Sequence, residues 1–315
     1  MNRLLKSNSQ YLIIFVPVVV LYFIVFGTPF YFTFHVKFNS NEILKKTLKA
    51  VCDQNEVQEN LIKKADLDYL STEELRHLFY EFITKSSEGL CPNWVRLGGG
   101  FARNTCHDGH KYICFNQNLL SAIEKDKCLV YSFGIRDDWS FEKEIRDIGC
   151  KVLTFDPSVD YQSELDKGIS FEKLGLGIWK RDGNPEFKKR MKTLKTILAD
   201  HQHLSSNISY LKIDIEGAEL EGLLEWQNSG ALAHVQQIGI EYHMEAEWMS
   251  QSKHDQYKTI LNALQKLYVE TNFRLVHYDF NLCWARHVDW VTKANGYPAF
   301  SEIVLMRTNK NGLCA

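Results

Sequence analysis

The stretch Leu211-Lys212-Ile213-Asp214-Ile215-Glu216-Gly217-Ala218-Glu219 decides how the rest of the chain is read. Leu211, Ile213 and Ile215 alternate with Lys212 and Asp214, the period of a strand. Gly217 breaks the run, and Ala218-Glu219-Leu220-Glu221 opens a helical stretch. A strand that ends in acids and turns at once into a helix belongs to an α/β sheet, whose ligands sit at the carboxyl ends of the strands. Asp214, Glu216 and Glu219 then crowd the rim where chemistry occurs. Glu216 and Glu219 also have a plainer use, because acids favour a helix start by opposing its dipole. That use leaves Asp214 unexplained.

Working outward, the same alternation recurs. Leu129–Phe133 is an apolar strand followed by Gly134, and Ser140 is expected to cap a helix running to Ile148 and closed by Gly149. Lys151–Phe155 is the next strand and ends at Asp156-Pro157. A weaker strand is expected over 169–174, a helix over 185–199, a strand over 235–242 ending in Glu241-Tyr242-His243, a long helix over 255–268, and closing strands over 273–278 and 301–307. Strand–helix alternation of this kind predicts a parallel, doubly wound sheet.

The first unit carries a nucleotide-type signature. A glycine after the first strand lets backbone approach a ligand, and an acid about 20 residues on can accept hydrogen bonds from ribose hydroxyls. Gly134 and Asp156 have that relation. The dinucleotide turn is absent, since Ile135, Arg136, Asp137 and Asp138 follow Gly134. A ligand with a ribose and no phosphates suits the site better, and S-adenosylmethionine is such a ligand. For a hydroxyl acceptor, Asp214, Glu216 and His243 are the candidate bases.

Composition sets the outer limits. The chain has 315 residues, 45% hydrophobic, with a net charge of -2. That suffices for one large domain and implies no general affinity for nucleic acid. Residues 11–34 carry no charge and would form a helix roughly 36 Å long, enough to cross a hydrocarbon core of about 30 Å. The exit, Phe30-Tyr31-Phe32-Thr33-Phe34, lacks the small residues of a cleavage site, so the segment reads as an uncleaved anchor. Lys37, Lys45, Lys46 and Lys49 against Arg3 and Lys6 would place the long domain in the cytosol. The cysteines point the other way: Cys91, Cys106, Cys114 and Cys128 lie in a loop-rich stretch without zinc-site spacing, which suggests disulfides and an oxidising lumen. The sequon Asn207-Ile208-Ser209 agrees with a lumen. The expectation is a type II, single-pass protein with its domain in the Golgi or ER lumen, and no metal site.

Before the main domain, Ile43, Leu44, Leu48, Val51 and Cys52 recur at helical spacing. Ser71-Thr72-Glu73-Glu74 is a capping box opening a helix with the stripe Leu75, Leu78, Phe79, Phe82 and Ile83, which packs on the main domain or on a partner. Gly98-Gly99-Gly100 marks a turn rather than an anion cradle, since no strand and helix flank it. The basic residues Lys180, Arg181, Lys188, Lys189, Arg190, Lys192 and Lys195 read as a solvated face. The layout expected is a tail over 1–10, an anchor over 11–34, a helical stem over 35–90 and the main domain over 91–315.

Taken in order, Cys128 to Ile135, Asp138-Trp139-Ser140-Phe141-Glu142, Phe155-Asp156-Pro157-Ser158 and Leu211 to Glu219 resemble the methyltransferase-like proteins related to the FkbM group of class I S-adenosylmethionine-dependent methyltransferases. The resemblance covers roughly 90–307 and implies a Rossmann-like sheet of about seven strands, the last antiparallel. By resemblance, Ser132, Phe133 and Gly134 would line the methionine part of the cofactor, Asp156 would hold the ribose, and Asp214 would face the sulfonium and the acceptor. Ser132 stands where many members have an acid and Arg136 where many have a second glycine, which leaves Asp137 or Asp138 to meet the cofactor's amino group. The acceptor would be a small molecule or a glycan hydroxyl. Two rival readings are a metal-dependent glycosyltransferase using Asp214-Ile215-Glu216 and a non-catalytic binding module that keeps the fold.

Overall fold

The structure is a computed structural model that describes residues 24–25, 28–29, 56, 60–62, 65–91, 93–102, 106–160, 167–177, 189–245, 251–281 and 300–308. The chain divides into two units, Met1–Ile43 and Leu44–Ala315. Within the first, Ile24–Val25 and Thr28–Pro29 form a short antiparallel pair. This departs from the helix expected over 11–34 at the place where Gly27 and Pro29 weaken helical backbone. The rest of that span lies outside the described residues. Among the described residues no helix is long and apolar enough to cross a membrane.

In the second unit the longer elements, in chain order, are α1 (Thr72–Thr84), β1 (Trp94–Leu97), β2 (Lys111–Cys114), α2 (Gln117–Glu124), β3 (Leu129–Phe133), α3 (Ser140–Asp147), β4 (Lys151–Phe155), β5 (Ile169–Glu172), α4 (Leu194–Asp200), β6 (Tyr210–Ile213), α5 (Glu219–Asn228), β7 (Gln237–His243), α6 (Lys253–Glu270), β8 (Phe273–Phe280) and β9 (Phe300–Arg307). β1 and β2 pair with each other. The remaining strands form a seven-stranded sheet in the order β8-β9-β7-β6-β3-β4-β5. β3 to β7 run parallel where they pair, and β9 is antiparallel to both neighbours. A closing antiparallel strand slotted between β7 and β8 is the sheet the resemblance implied.

The pleat sends alternate side chains to two apolar layers. Tyr131, Phe133, Leu153, Phe155, Leu211, Ile213 and Ile240 pack with α1, α4, α5 and α6. Val130, Val152 and Tyr210 pack with α2 and α3. The helix stripe of α1 belongs to the first layer, with Phe79, Phe82 and Ile83 fully buried. The capping box is present: Ser71 accepts from the Glu74 backbone, and the Glu74 side chain accepts from the Ser71 backbone. The expected stem boundary at 91 is therefore not where packing changes, because α1 is part of the domain core. Disulfides join Cys91 to Cys114 and Cys128 to Cys150.

Local starts differ from expectation in two places. α3 has Trp139 at its cap position, and Ser140 Oγ instead accepts from the Gly99 backbone at 2.7 Å. Gly98, at φ +69°, lets the chain press on α3, since a Cβ there would lie 2.4 Å from Phe141 N. The helix expected over 185–199 is interrupted: Lys189 is helical, Met191–Lys192 are extended, and α4, capped by Thr193, follows. Residues 178–188 lie outside the described residues.

Candidate active site at the strand tips

β3, β4 and β6 end level. Phe133 is in register with Phe155 on one side and with Ile213 on the other. The residues that follow, Gly134, Asp156 and Asp214, share one edge of the sheet, and the two acids flank the central strand at a spacing of about 10 Å. Gly134 sits at φ +78°, and a Cβ on it would lie 1.6 Å from the Asp214 carbonyl oxygen. Glycine is required there by the approach of two chain segments. Its N–H donates to Phe155 O at 3.0 Å and its carbonyl accepts from Lys212 Nζ at 2.9 Å.

The pleat turns two expected cofactor contacts inward. Ser132 Oγ donates to Glu142 Oε1 at 2.5 Å, and that oxygen is 3.4 Å from Lys212 Nζ. The Phe133 ring stacks on Phe155 at 4.7 Å. Both side chains are buried in the two faces of the sheet, so neither lines an open cofactor site. Asp156 is at the expected tip and buried. Its Oδ2 accepts from Arg136 N at 2.9 Å, and its Oδ1 accepts from Ser158 N at 2.8 Å and Ser158 Oγ at 2.5 Å. A carboxylate has about four lone-pair sites. Asp156 thus keeps one for a ribose hydroxyl rather than two. Asp138 is committed to the start of α3, accepting from Ser140 N at 2.9 Å. Asp137, with its side chain 92% exposed, is the acid left to reach an ammonium group.

β7 runs three residues past β6, and β9 pairs with that overhang: Glu241 opposes Glu302, and His243 opposes Phe300. A buried charged cluster gathers here. Lys111 of β2, whose side chain is 1% exposed, brings Nζ to 3.4 Å from both Asp214 Oδ2 and Glu241 Oε2 and bonds Glu302 Oε1. Asn281 Nδ2 donates to Glu241 Oε1 at 2.7 Å. His243 Nδ1 lies 2.9 Å from Glu219 Oε1, and the same oxygen accepts the His243 backbone N–H at 2.8 Å. That contact aims Nε2 towards Asp214 Oδ1 at 3.8 Å and Glu216 Oε2 at 3.7 Å. Glu216 itself is at φ +58°, an uncommon backbone state for a residue with a side chain.

The electrostatics follow from burial and from the number of acids. Burial works against the His243 charge, but Glu219, Glu241 and Asp214 outweigh it and raise its pKa to about 10. Burial likewise opposes the Lys111 charge, and Glu302, Asp214 and Glu241 hold it well above the ordinary lysine value. Asp214 is raised by burial and by the Glu241 charge, against Lys111, His243 and Lys212. Glu241 is lowered: burial opposes this, and Lys111 and His243 prevail. Glu302 is raised well above its usual value, mainly by burial.

The sequence-predicted residues Asp214, Glu216 and His243 are thus brought together, and Asp214, at the tip of β6, is one strand from Gly134 and two from Asp156. Lys111 and Glu302 were missed. The available signal was phase: Lys111 shares the inward face of β2 with buried Ile113. One cavity lies elsewhere, between Leu61 and the α1 residues Leu78 and Glu81, and holds none of these groups.

This sheet order, with a glycine turn and acids at adjacent tips, defines a Rossmann-like methyltransferase fold. The chain belongs to the family described as methyltransferase domain, whose model matches residues 41–289. It is 29% identical over 172 residues to the Homo sapiens protein named "Probable methyltransferase-like protein 24", covering 51% of this chain. The match spans 45% of that relative's length. Two solved structures align at TM-scores too low to add to the fold assignment. One is a Streptococcus pneumoniae protein described as a putative tRNA methyltransferase in complex with S-adenosyl-L-methionine (11% identity, TM-score 0.30, 61% of this chain and 72% of that chain). The other is described as a putative hemolysin from Streptococcus thermophilus (12% identity, TM-score 0.34, 65% and 73%). The narrower FkbM likeness rests on the sequence motifs alone. S-adenosylmethionine is the cofactor that a methyltransferase domain implies, and the residues at the tips suit it: an exposed acid at 137, a carboxylate lone pair on Asp156 and an acid-rich wall beyond Asp214.

Proposed function

We propose that this chain is a methyltransferase that binds S-adenosylmethionine across the β3 and β4 tips and methylates an oxygen acceptor held at the β6 and β7 tips. The observation that carries the reading is the level register that sets Asp156 and Asp214 on either side of Gly134. Bound cofactor supplies an electrophilic methyl group on a sulfonium, so alignment of the acceptor provides much of the acceleration. Asp156 holds a ribose hydroxyl with its remaining lone pair, and Asp137 meets the ammonium. Asp214, a carboxylate whose proton affinity is raised by burial, takes the acceptor's proton at Oδ1. His243, held by Glu219 and charged at neutral pH, orients that oxygen, and Glu216 lines the outer side.

The acceptor we favour is a single glycan hydroxyl. The disulfides Cys91–Cys114 and Cys128–Cys150 support an oxidising compartment, and the uncharged run 11–34 supports a signal anchor with the domain in the Golgi or ER lumen.

Calorimetric titration of the purified chain with S-adenosylmethionine tests the reading. Binding is expected, weakened roughly tenfold by Asp156→Ala, the loss of one hydrogen bond to a charged group. No heat at millimolar cofactor would favour a binding module, and unchanged affinity in Asp156→Ala would remove that residue from the site.

A further inference from the structure

Lys111 has no role in the mechanism above. It is carried by β2, outside the main sheet, yet its ammonium stands equally far, 3.4 Å, from Asp214 Oδ2 and Glu241 Oε2 and bonds Glu302. Asp214, Glu241 and His243 each offer a metal-ligand atom, and these atoms lie within 4.8 Å of one another. Two carboxylates and an imidazole at that spacing would accept a divalent ion that displaces the Nε2 proton of His243. The lysine ammonium already sits against two of the three.

We propose that Lys111 is a tethered cation that takes the place of a divalent ion at the acceptor end of the site, so that methyl transfer needs no metal. The inference rests on the methyltransferase reading. An ammonium provides one positive charge and three donors in a small volume. It offsets part of the carboxylate charge at the strand tips and fixes where the Asp214 oxygens stand, which makes it a positioning residue. It differs from an ion in two respects. It offers no open coordination site to bridge a pair of acceptor oxygens, and it does not acidify a bound hydroxyl as a metal does. Proton removal therefore falls to Asp214, and the acceptor class narrows to a single hydroxyl rather than a chelating pair of oxygens.

The test is Mn²⁺ binding to the purified full-length chain, read by electron paramagnetic resonance. The proteins are wild type, Asp214→Asn, Lys111→Arg, Lys111→Ala and Lys111→Ala combined with Asp214→Asn. Wild type and Lys111→Arg are expected to hold no stoichiometric Mn²⁺. Lys111→Ala is expected to bind one equivalent at least about tenfold more tightly than wild type, and the added Asp214→Asn to abolish it. One-equivalent binding by wild type that Asp214→Asn removes overturns the proposal. So does a folded Lys111→Ala that gains none. If Lys111→Ala does not fold alone, recovery of native tryptophan fluorescence on adding Mn²⁺ is the same gain, and its absence counts against the proposal. Cofactor affinity measured on the same preparations separates the two readings. A wild type that binds no S-adenosylmethionine sinks the methyltransferase reading, whereas one that binds both cofactor and Mn²⁺ sinks only the role of Lys111.

Discussion

The two halves of the strand-tip edge are built on opposite plans. On the cofactor side, around Gly134 and Asp156, nearly every polar group is tied to backbone, and side chains contribute little: Ser132 and Phe133 are buried in the sheet's faces. On the acceptor side, around Asp214 and His243, side-chain charge dominates, with five acids (Asp214, Glu216, Glu219, Glu241, Glu302) facing Lys111 and His243. The first plan fixes a shape. The second holds a buried excess of negative charge, which stands only while every member keeps its partners. Substitutions should accordingly act through backbone geometry on one side and through lost charge partners on the other.

The largest effect is expected at Gly134. An alanine would bring a Cβ to 1.6 Å from a backbone oxygen, at a φ of +78° that disfavours side chains. Backbone cannot move aside as a flexible side chain can. Gly134→Ala should lower stability by about 3 kcal/mol in urea denaturation and abolish cofactor binding. An alanine variant of native stability would mean that the two segments are not pressed together, and the cofactor side would lose its defining constraint.

A smaller and differently shaped effect is expected across the edge. Glu219, fully buried, accepts from the backbone N–H groups of Gly217 and His243 and contacts His243 Nδ1. In Glu219→Gln one oxygen becomes an amide that points donors at the Gly217 N–H or at His243. That mismatch costs roughly 1–3 kcal/mol of stability. Turnover should fall about tenfold or more, because His243 loses the group that aims Nε2. Cofactor affinity should not change, since the hydrogen bonds of Glu219 among the described residues go to Gly217 and His243. A parallel loss of cofactor binding would show that the two halves are one unit, and the contrast would fail.

The contrast also governs what could be read from the chain. Strand β6 was legible because alternation, acids and a glycine fall within nine consecutive residues, 211–219. Gly134 and Asp156 were legible because one βαβ unit fixes their separation. The acceptor side is assembled from five distant segments, at 111, 214–219, 241–243, 281 and 302, so no window contains it. Lys111 is hidden further by its chemistry, since lysine is ordinarily a surface residue. The side-chain directions of Ser132 and Phe133 were misjudged because the resemblance supplies positions, and the pleat decides which face each one enters. The stripe of α1 was recognised as a packing surface, but whether it met the domain or a partner depended on tertiary contacts alone.

The smallest effect concerns a third place, just beyond His243, where a single acid is surrounded by cations. Glu245 accepts from Arg76 Nε at 2.8 Å, Tyr257 Oη at 2.9 Å and Lys253 Nζ at 2.5 Å, tying α1 and α6 to the end of β7. Burial pushes its pKa up, but Lys253, Tyr257 and Arg76 prevail and hold it below the ordinary glutamate value. A carboxylate depressed in the folded state adds stability that is fully present above its unfolded pKa and is lost as pH falls through its folded one. Thermal denaturation should therefore show midpoints that decline below about pH 4.5, and part of that decline should be absent in Glu245→Gln. Raising the salt concentration should shrink the difference, because Lys253 is half-exposed and its pairing is screened. The Lys111 cluster, closed off from solvent, should respond to salt far less. Equal salt sensitivity at the two places would mean that water reaches Lys111, and the acceptor side would then be an ordinary surface ion network.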